Sequence, residues 1–260
     1  MKIKTTLVAL TAAAGLFVLA GCTPAGGGTT TEVDSSVAAE IDAALAEITG
    51  TVLSTGPNGE EPASVDTTVV TDAQAAEIAS MGLTAAIVMH YGGNDWANAQ
   101  IDGLNSEFDR LGIEVIATTD ADFDPATQVS QIETVLTQNP DIIVSIPTDP
   151  VATASAYRKA AEQGVKLVFM DNVPDGFVAG EDYVSMVSAD NYGNGVTSAY
   201  LLARSLGGKG KIGVIYHEAD FFVTKQRYEG FKDTITEKFP DIEIVQEQGI
   251  AGPDFAGDAQ

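Results

Sequence analysis

The chain is short of positive charge, cysteine and histidine, and each shortage removes a class of chemistry. Against 37 Asp and Glu stand only 13 Lys and Arg, for a formal charge of −24 over 260 residues. A nucleic-acid binder needs a basic footprint to release counterions from phosphates, so no nucleic-acid partner is expected. A single cysteine, Cys22, excludes any disulfide within the chain. The two histidines, His90 and His217, have no second ligand at a helical spacing, and a zinc site lacks its donors. Long apolar runs are also few: residues 7–20 form one, too short and wrongly flanked for a stop-transfer helix.

Lys2 and Lys4 precede that run, and Leu19-Ala20-Gly21-Cys22 closes it. A charged start, a short apolar core and a small-small-Cys ending resemble the bacterial lipobox, whose cysteine is acylated and becomes the first residue of the mature protein. Residues 1–22 are therefore expected to be a lipoprotein signal peptide, with Cys22 lipidated. The chain is expected to be extracytoplasmic, anchored to the cell membrane on the cell surface or in a periplasm. After Lys4 the next Lys or Arg is Arg110, so the intervening segment carries acids only and stands off from an anionic membrane surface. Residues 23–80 read as an acidic tether with a short extension. Residues 23–35 have a flexible linker's composition, Val37, Ile41, Leu45 and Ile48 recur at helical spacing, and Gly56-Pro57-Asn58-Gly59 marks a turn.

From Leu83 onward apolar strands alternate with amphipathic helices. Strands are expected at residues 85–90, 114–118, 142–146 and 166–170. Between them, Ala97, Ile101, Leu104, Phe108 and Leu111 mark one helix face ended by Gly112, and Val129, Ile132, Val135 and Leu136 mark another. A further helix over residues 152–163 stops at Gly164. Near-continuous apolar strands separated by helices indicate a parallel sheet covered on both faces, a doubly wound α/β lobe over residues 81–190. A second set follows: a helix capped by Asn191 and ended by Gly207-Gly208, a strand at 212–216, a helix face of Tyr228, Phe231, Ile235 and Phe239, and a strand at 242–245. Residues 191–260 thus read as a partial second α/β lobe, in a chain expected to be truncated at its C-terminal end.

Open parallel sheets bind ligands at the carboxyl ends of their strands. The first strand runs into His90-Tyr91-Gly92-Gly93-Asn94-Asp95-Trp96, the third into Pro147-Thr148-Asp149 and the fourth into Asp171-Asn172. Carboxylates and carboxamides there can pair with adjacent hydroxyls, and an indole can cover the apolar face of a sugar ring. Each residue also has a plainer role open to it: Asn94 and Asp95 as helix caps, Trp96 as a core residue, Asp171 as a turn former. No catalytic constellation is present. Asp120-Ala121-Asp122-Phe123-Asp124 has Pro125 and Gln131 where a calcium loop needs glycine and glutamate. Gly207-Gly208-Lys209-Gly210-Lys211 precedes a strand and lacks the hydroxyl of a phosphate-binding loop, and no Gly-x-Ser-x-Gly elbow exists.

A spaced set of features extends over residues 83–260. It comprises Asn94-x-Trp96, Gln128 with Ile132-Glu133, Asp141-Ile142-Ile143 with Pro147-Thr148-Asp149, Asp171, Ser188-x-Asp190-Asn191, and Arg227-x-x-Gly230-Phe231. Together they resemble the type 1 periplasmic binding proteins, substrate-binding components of ABC sugar importers, nearest the ribose-binding branch. The resemblance implies two α/β lobes joined by a hinge, here placed near Asp190, with a sugar held in the cleft between them. It implies ligand contacts from Asn94, Trp96, Asp171, Arg227 and Phe255, and its strand-end neighbours His90, Asp95 and Asn172 join the candidate set. The chain departs from the ribose branch at His90, Ala97, Ile146 and Asn172. Losing two polar groups and one ring shifts the expected solute toward another pentose, a polyol or a related small hydroxylated solute.

The expected function is capture of a small sugar or polyol and its delivery to an ABC permease, without cofactor, metal or enzymatic turnover. A sensory or chemotaxis receptor of the same fold, signalling to a membrane partner, is the alternative left open. A transcription regulator sharing the fold would open with a DNA-binding headpiece rather than an export signal.

Overall fold

The computed structural model describes residues 35–218 and 221–250; Cys22, the expected signal peptide and Phe255 lie outside the described residues. The first sheet is built from β1 (Thr84–Met89), β2 (Glu114–Asp120), β3 (Ile142–Ser145), β4 (Lys166–Met170) and β5 (Ser185–Val187), all parallel, in the order β2-β1-β3-β4-β5. This sheet and its helices form the first lobe. β1 is its centre: every residue from Ala85 to Met89 is 0% exposed. Ala86 and Val88 face one side, packing with α4 (Pro125–Leu136) and α5 (Ala154–Glu162) through Ile132, Val135 and Tyr157. Ala85, Ile87 and Met89 face the other, packing with α3 (Asp95–Leu111) through Phe108 and Leu111. Full burial of each larger side chain on this strand contributes about 1.5–3 kcal/mol. Strand order reverses beside β1, where the crossover to β2 goes one way and that to β3 the other, and such a switch point opens a crevice at the strands' carboxyl ends.

The second lobe among the described residues holds α6 (Asn191–Leu206), β6 (Gly210–His217), α7 (Phe222–Lys238) and β7 (Ile242–Ile250), with β6 and β7 parallel. The two helices touch backbone to backbone. A Cβ on Gly195 would sit 2.2 Å from the Arg227 carbonyl oxygen, and one on Gly230 would sit 2.3 Å from that of Tyr192.

The N-terminal extension divides between the lobes. α1 (Ser35–Ile48) seats Ile41, 3% exposed, among Ala199, Ala203, Ile235 and Ile242 of the second lobe, and Asp42 pairs with Arg204 at 2.7 Å. α2 (Asp72–Ser80) carries a capping box made by Thr71 and Gln74 and buries Ala75 in the first lobe beside Phe108, Leu111 and Ile113.

Several boundaries differ from expectation for local reasons. Asp190, not Asn191, caps α6, its carboxylate accepting from Gly193 N at 2.9 Å. α5 starts at Ala154 rather than 152, because Asp149 Oδ1 takes the amides of Val151 and Ala152 into a turn. β7 runs on to Ile250, past the expected end at 245. β5 has no apolar run and is an edge strand of three residues.

Candidate functional site

The carboxyl ends of β1, β2 and β4 bring four aromatic rings and two carboxylates together. His90 directly follows β1, its ring edge-on to Trp96 at 6.2 Å and to Phe123 at 5.0 Å. Tyr91 stacks on Phe123 at 4.8 Å and 15°. Trp96 is 48% exposed, so it is not a core residue; the α3 cap turns it outward. Asn94 makes that cap, its side-chain oxygen accepting from Ala97 N at 2.8 Å, while Asp95 is the first helical residue and exposed.

Asp171 and Asp120 face His90 electrostatically. Burial holds the His90 imidazole below its ordinary value, and the two carboxylates oppose that only in part, so the ring is neutral at pH 7. Its Nδ1 is buried with no hydrogen-bond partner, as is Oδ1 of Asn172, a residue 5% exposed at the end of β4. Unpartnered polar atoms of this kind mark places where a native structure departs from satisfaction for a reason.

Backbone strain gathers at the same rim. Asp171, Asp122 and Phe123 occupy the left-handed region at φ 61°, 49° and 59°, uncommon for residues other than glycine and concentrated at functional sites. The loop after β3 is fixed from beneath by Gln128, fully buried, which donates to the Ile146 carbonyl and accepts from Thr148 N at 2.8 Å. Ile146 itself is 1% exposed and Ala97 is 0% exposed, so both departures from the ribose branch are apolar core positions here.

Arg227, near the start of α7, reaches the same crossing segment from the second lobe. A continuous hydrogen-bond chain runs from it to Asp171. Arg227 Nε donates to Asn191 Oδ1 at 2.7 Å, Asn191 Nδ2 donates to Ser188 Oγ at 2.8 Å, and Ser188 Oγ donates to Asp171 Oδ1 at 2.7 Å. Asn191 is 0% exposed, so its amide orientation is dictated by these partners. On its other side Arg227 borders a groove of about 440 Å³ with Tyr216, His217, Thr224 and Tyr228 at the carboxyl end of β6.

Of the residues singled out by sequence, His90, Trp96, Asp171 and Asn172 thus share one rim with the start of α3, where Asn94 is the cap and Asp95 the first helical residue, and Arg227 is connected to it through Asn191. Sequence reading missed Phe123 and Asp120, set aside with a failed calcium pattern, whose local signal was an aromatic at the end of a strand. It also missed Ser188 as a partner of Asp171. Two carboxylates of that pattern serve the backbone: Asp120 accepts from Asp122 N, and Asp124 caps α4 through Thr127 N.

The fold is that of an α/β protein with a five-stranded parallel sheet in one lobe and a parallel strand pair in the other, the rim lying at strand carboxyl ends. Residues 85–260 match the periplasmic binding protein domain model, and the chain belongs to that family. A Rhizobium meliloti protein provisionally named rhizopine-binding protein is 31% identical over 130 residues, covering 50% of this chain and 42% of that one. The ribose import binding protein of Bacillus subtilis is 28% identical over 147 residues, 56% of this chain and 45% of that one. Among solved structures, an ABC sugar transporter subunit from Rhodobacter sphaeroides superposes with a TM-score of 0.59 at 28% identity, covering 68% of this chain and 60% of that one. The chain spans less than half the length of these curated relatives. Among the described residues no helix is long and apolar enough to cross a membrane.

Proposed function

We propose that this protein is an extracytoplasmic receptor that captures a small sugar or polyol between its lobes and delivers it to an ABC importer. The observation that carries the reading is the Asp171–Ser188–Asn191–Arg227 chain, which links the strand-end groups of one lobe to the arginine of the other. A solute held between the lobes meets carboxylate, carboxamide and guanidinium groups suited to vicinal hydroxyls, and the Trp96 ring suited to C–H faces. The relatives named for ribose import and rhizopine binding support a small hydroxylated solute. Closure follows when the ligand binds the closed arrangement better than the open one. The site groups bind without breaking bonds, and no enzymatic step is assigned.

Membership of a periplasmic binding family supports a location outside the cytoplasm, and the lipobox-like Leu19-Ala20-Gly21-Cys22 supports attachment to the membrane by a lipid on Cys22. Asp190, at the crossing between lobes, is assigned to the hinge, and Phe255 to the ligand contacts.

The test is a melting-shift screen of the intact receptor against pentoses, hexoses and polyols. Stabilisation by one or a few of them is expected. A receptor that none stabilises, with its fold intact, would refute the reading.

A further inference from the structure

The segment between α1 and α2 precedes the first sheet in sequence, yet it lies across the junction of the two lobes. Its start is fixed to the second lobe by α1, through buried Ile41 and the Asp42–Arg204 pair. Its middle is fixed to the crossing segment. Leu53 N donates to Asp190 Oδ2 at 3.1 Å, Ser54 N and Ser54 Oγ donate to Asp190 Oδ1 at 2.9 and 2.8 Å, and Tyr192 N donates to Ser54 Oγ at 2.9 Å. Gln226 of α7 adds a bond to the Thr55 carbonyl at 3.1 Å. Its end is fixed to the first lobe, where Asn58 Nδ2 donates to the Phe177 carbonyl at 3.3 Å. α2 then continues onto the first lobe.

Asp190 is the point of convergence. Its carboxylate already caps α6 through Gly193 N, and α6 carries Asn191, which holds Arg227. Ser54 therefore acts two steps from any ligand group. It completes the coordination of the cap from outside the lobe, and so fixes where the first turn of α6 sits relative to the first sheet.

We propose that residues 49–61 form a strap across the hinge, with Ser54 as a positioning residue that sets the angle between the lobes and thereby the affinity of a cleft it never touches. The proposal rests on the reading of the protein as a two-lobed clamp. By restraining hinge rotation before the solute arrives, the strap lowers the ordering cost of closure. Loosening it reduces the fraction of binding-competent receptor. A reduced competent fraction weakens every solute by the same factor, because it multiplies each intrinsic affinity alike.

The experiment uses the intact receptor with Cys22→Ser and spin labels at Asp102→Cys on α3 and Glu237→Cys on α7, both exposed positions. Interlobe distances are measured by pulsed electron resonance, and affinities are titrated with D-ribose, D-arabinose, xylitol and myo-inositol. Ser54→Ala is expected to broaden the distance distribution and to weaken every solute that binds by one common factor of about tenfold. Ser54→Thr, which keeps the hydroxyl, is expected to retain both properties. Unchanged distances with unchanged affinities in Ser54→Ala overturn the proposal. So does a lowered melting temperature alone, or a factor that differs from solute to solute. A receptor that binds none of the four solutes counts against the ligand reading, while the distance distribution still decides the strap.

Discussion

Ser188 donates its hydroxyl to Asp171 Oδ1 at 2.7 Å, tying the carboxylate at the end of β4 to the segment that leaves for the second lobe. Asp171 is held there in a left-handed conformation, at φ 61°. Asn tolerates that conformation as well as Asp does, so Asp171→Asn changes charge and acceptor strength with little backbone effect. The variant is expected to melt with a stability loss of about 1 kcal/mol or less, yet to lose the shift that a stabilising solute produces in the wild type. A full solute-induced shift in the variant removes Asp171 from the site.

Arg227 is the opposite anchor. Arg227→Ala withdraws the donor to Asn191 Oδ1 inside a fully buried residue, at a cost of about 1–3 kcal/mol. Arg227→Lys restores positive charge but not the planar fork, and it is expected to recover stability better than affinity. Denaturant melts and solute titrations of the pair measure the two effects separately; equal recovery of both argues against a ligand role for the guanidinium.

Gly230 meets the Tyr192 carbonyl where a Cβ would come within 2.3 Å. Gly230→Ala forces α6 and α7 apart, and overpacking of this kind costs about 1–3 kcal/mol. Helical alanine is otherwise favoured over glycine by up to about 1 kcal/mol, so a neutral or stabilising result in a denaturant melt would show that the helices separate freely.

His90 gives a pH signature. Its folded-state value lies below the ordinary 6.5, burial being the larger influence and the facing Asp171 and Asp120 the smaller, opposing ones. The unfolded chain therefore takes up this proton first as pH falls. Stability from this group is complete above about pH 6.5 and declines below it, down to the folded-state value. His217 is lowered in the same direction by burial, so the comparison is wild type against His90→Asn. The wild type is expected to lose stability more steeply than the variant as pH falls below about 6.5. Parallel curves would show that His90 does not titrate differently on folding.

Much of the first lobe could be read from the sequence because its signals are local. The stripe from Ala97 to Leu111 ends at Gly112, where φ is 65° and a Cβ would approach that of Ala79 at 2.8 Å, so one glycine serves both the turn and the α2 contact. The continuous apolar strands have the burial their composition implies. What escaped is non-local or solvent-facing. The second half of β7 is mostly exposed and therefore carries no apolar pattern, and β5 is too short to carry one. Val37, Ile41 and Leu45 announce a helix without announcing that its partner lies about 160 positions onward in α6. Phe123 joins the rim through a left-handed conformation that an aromatic residue seldom adopts, and Ser188 and Asn191 matter through each other's side chains, which spacing alone does not reveal.

Where Gly195 meets the Arg227 carbonyl and Gly230 that of Tyr192, α6 and α7 have no side chains between them to absorb motion. The helix pair therefore turns as a single stiff lever. The register of Arg227 on α7 against the Asp190 cap of α6 thus depends on two absent methyl groups.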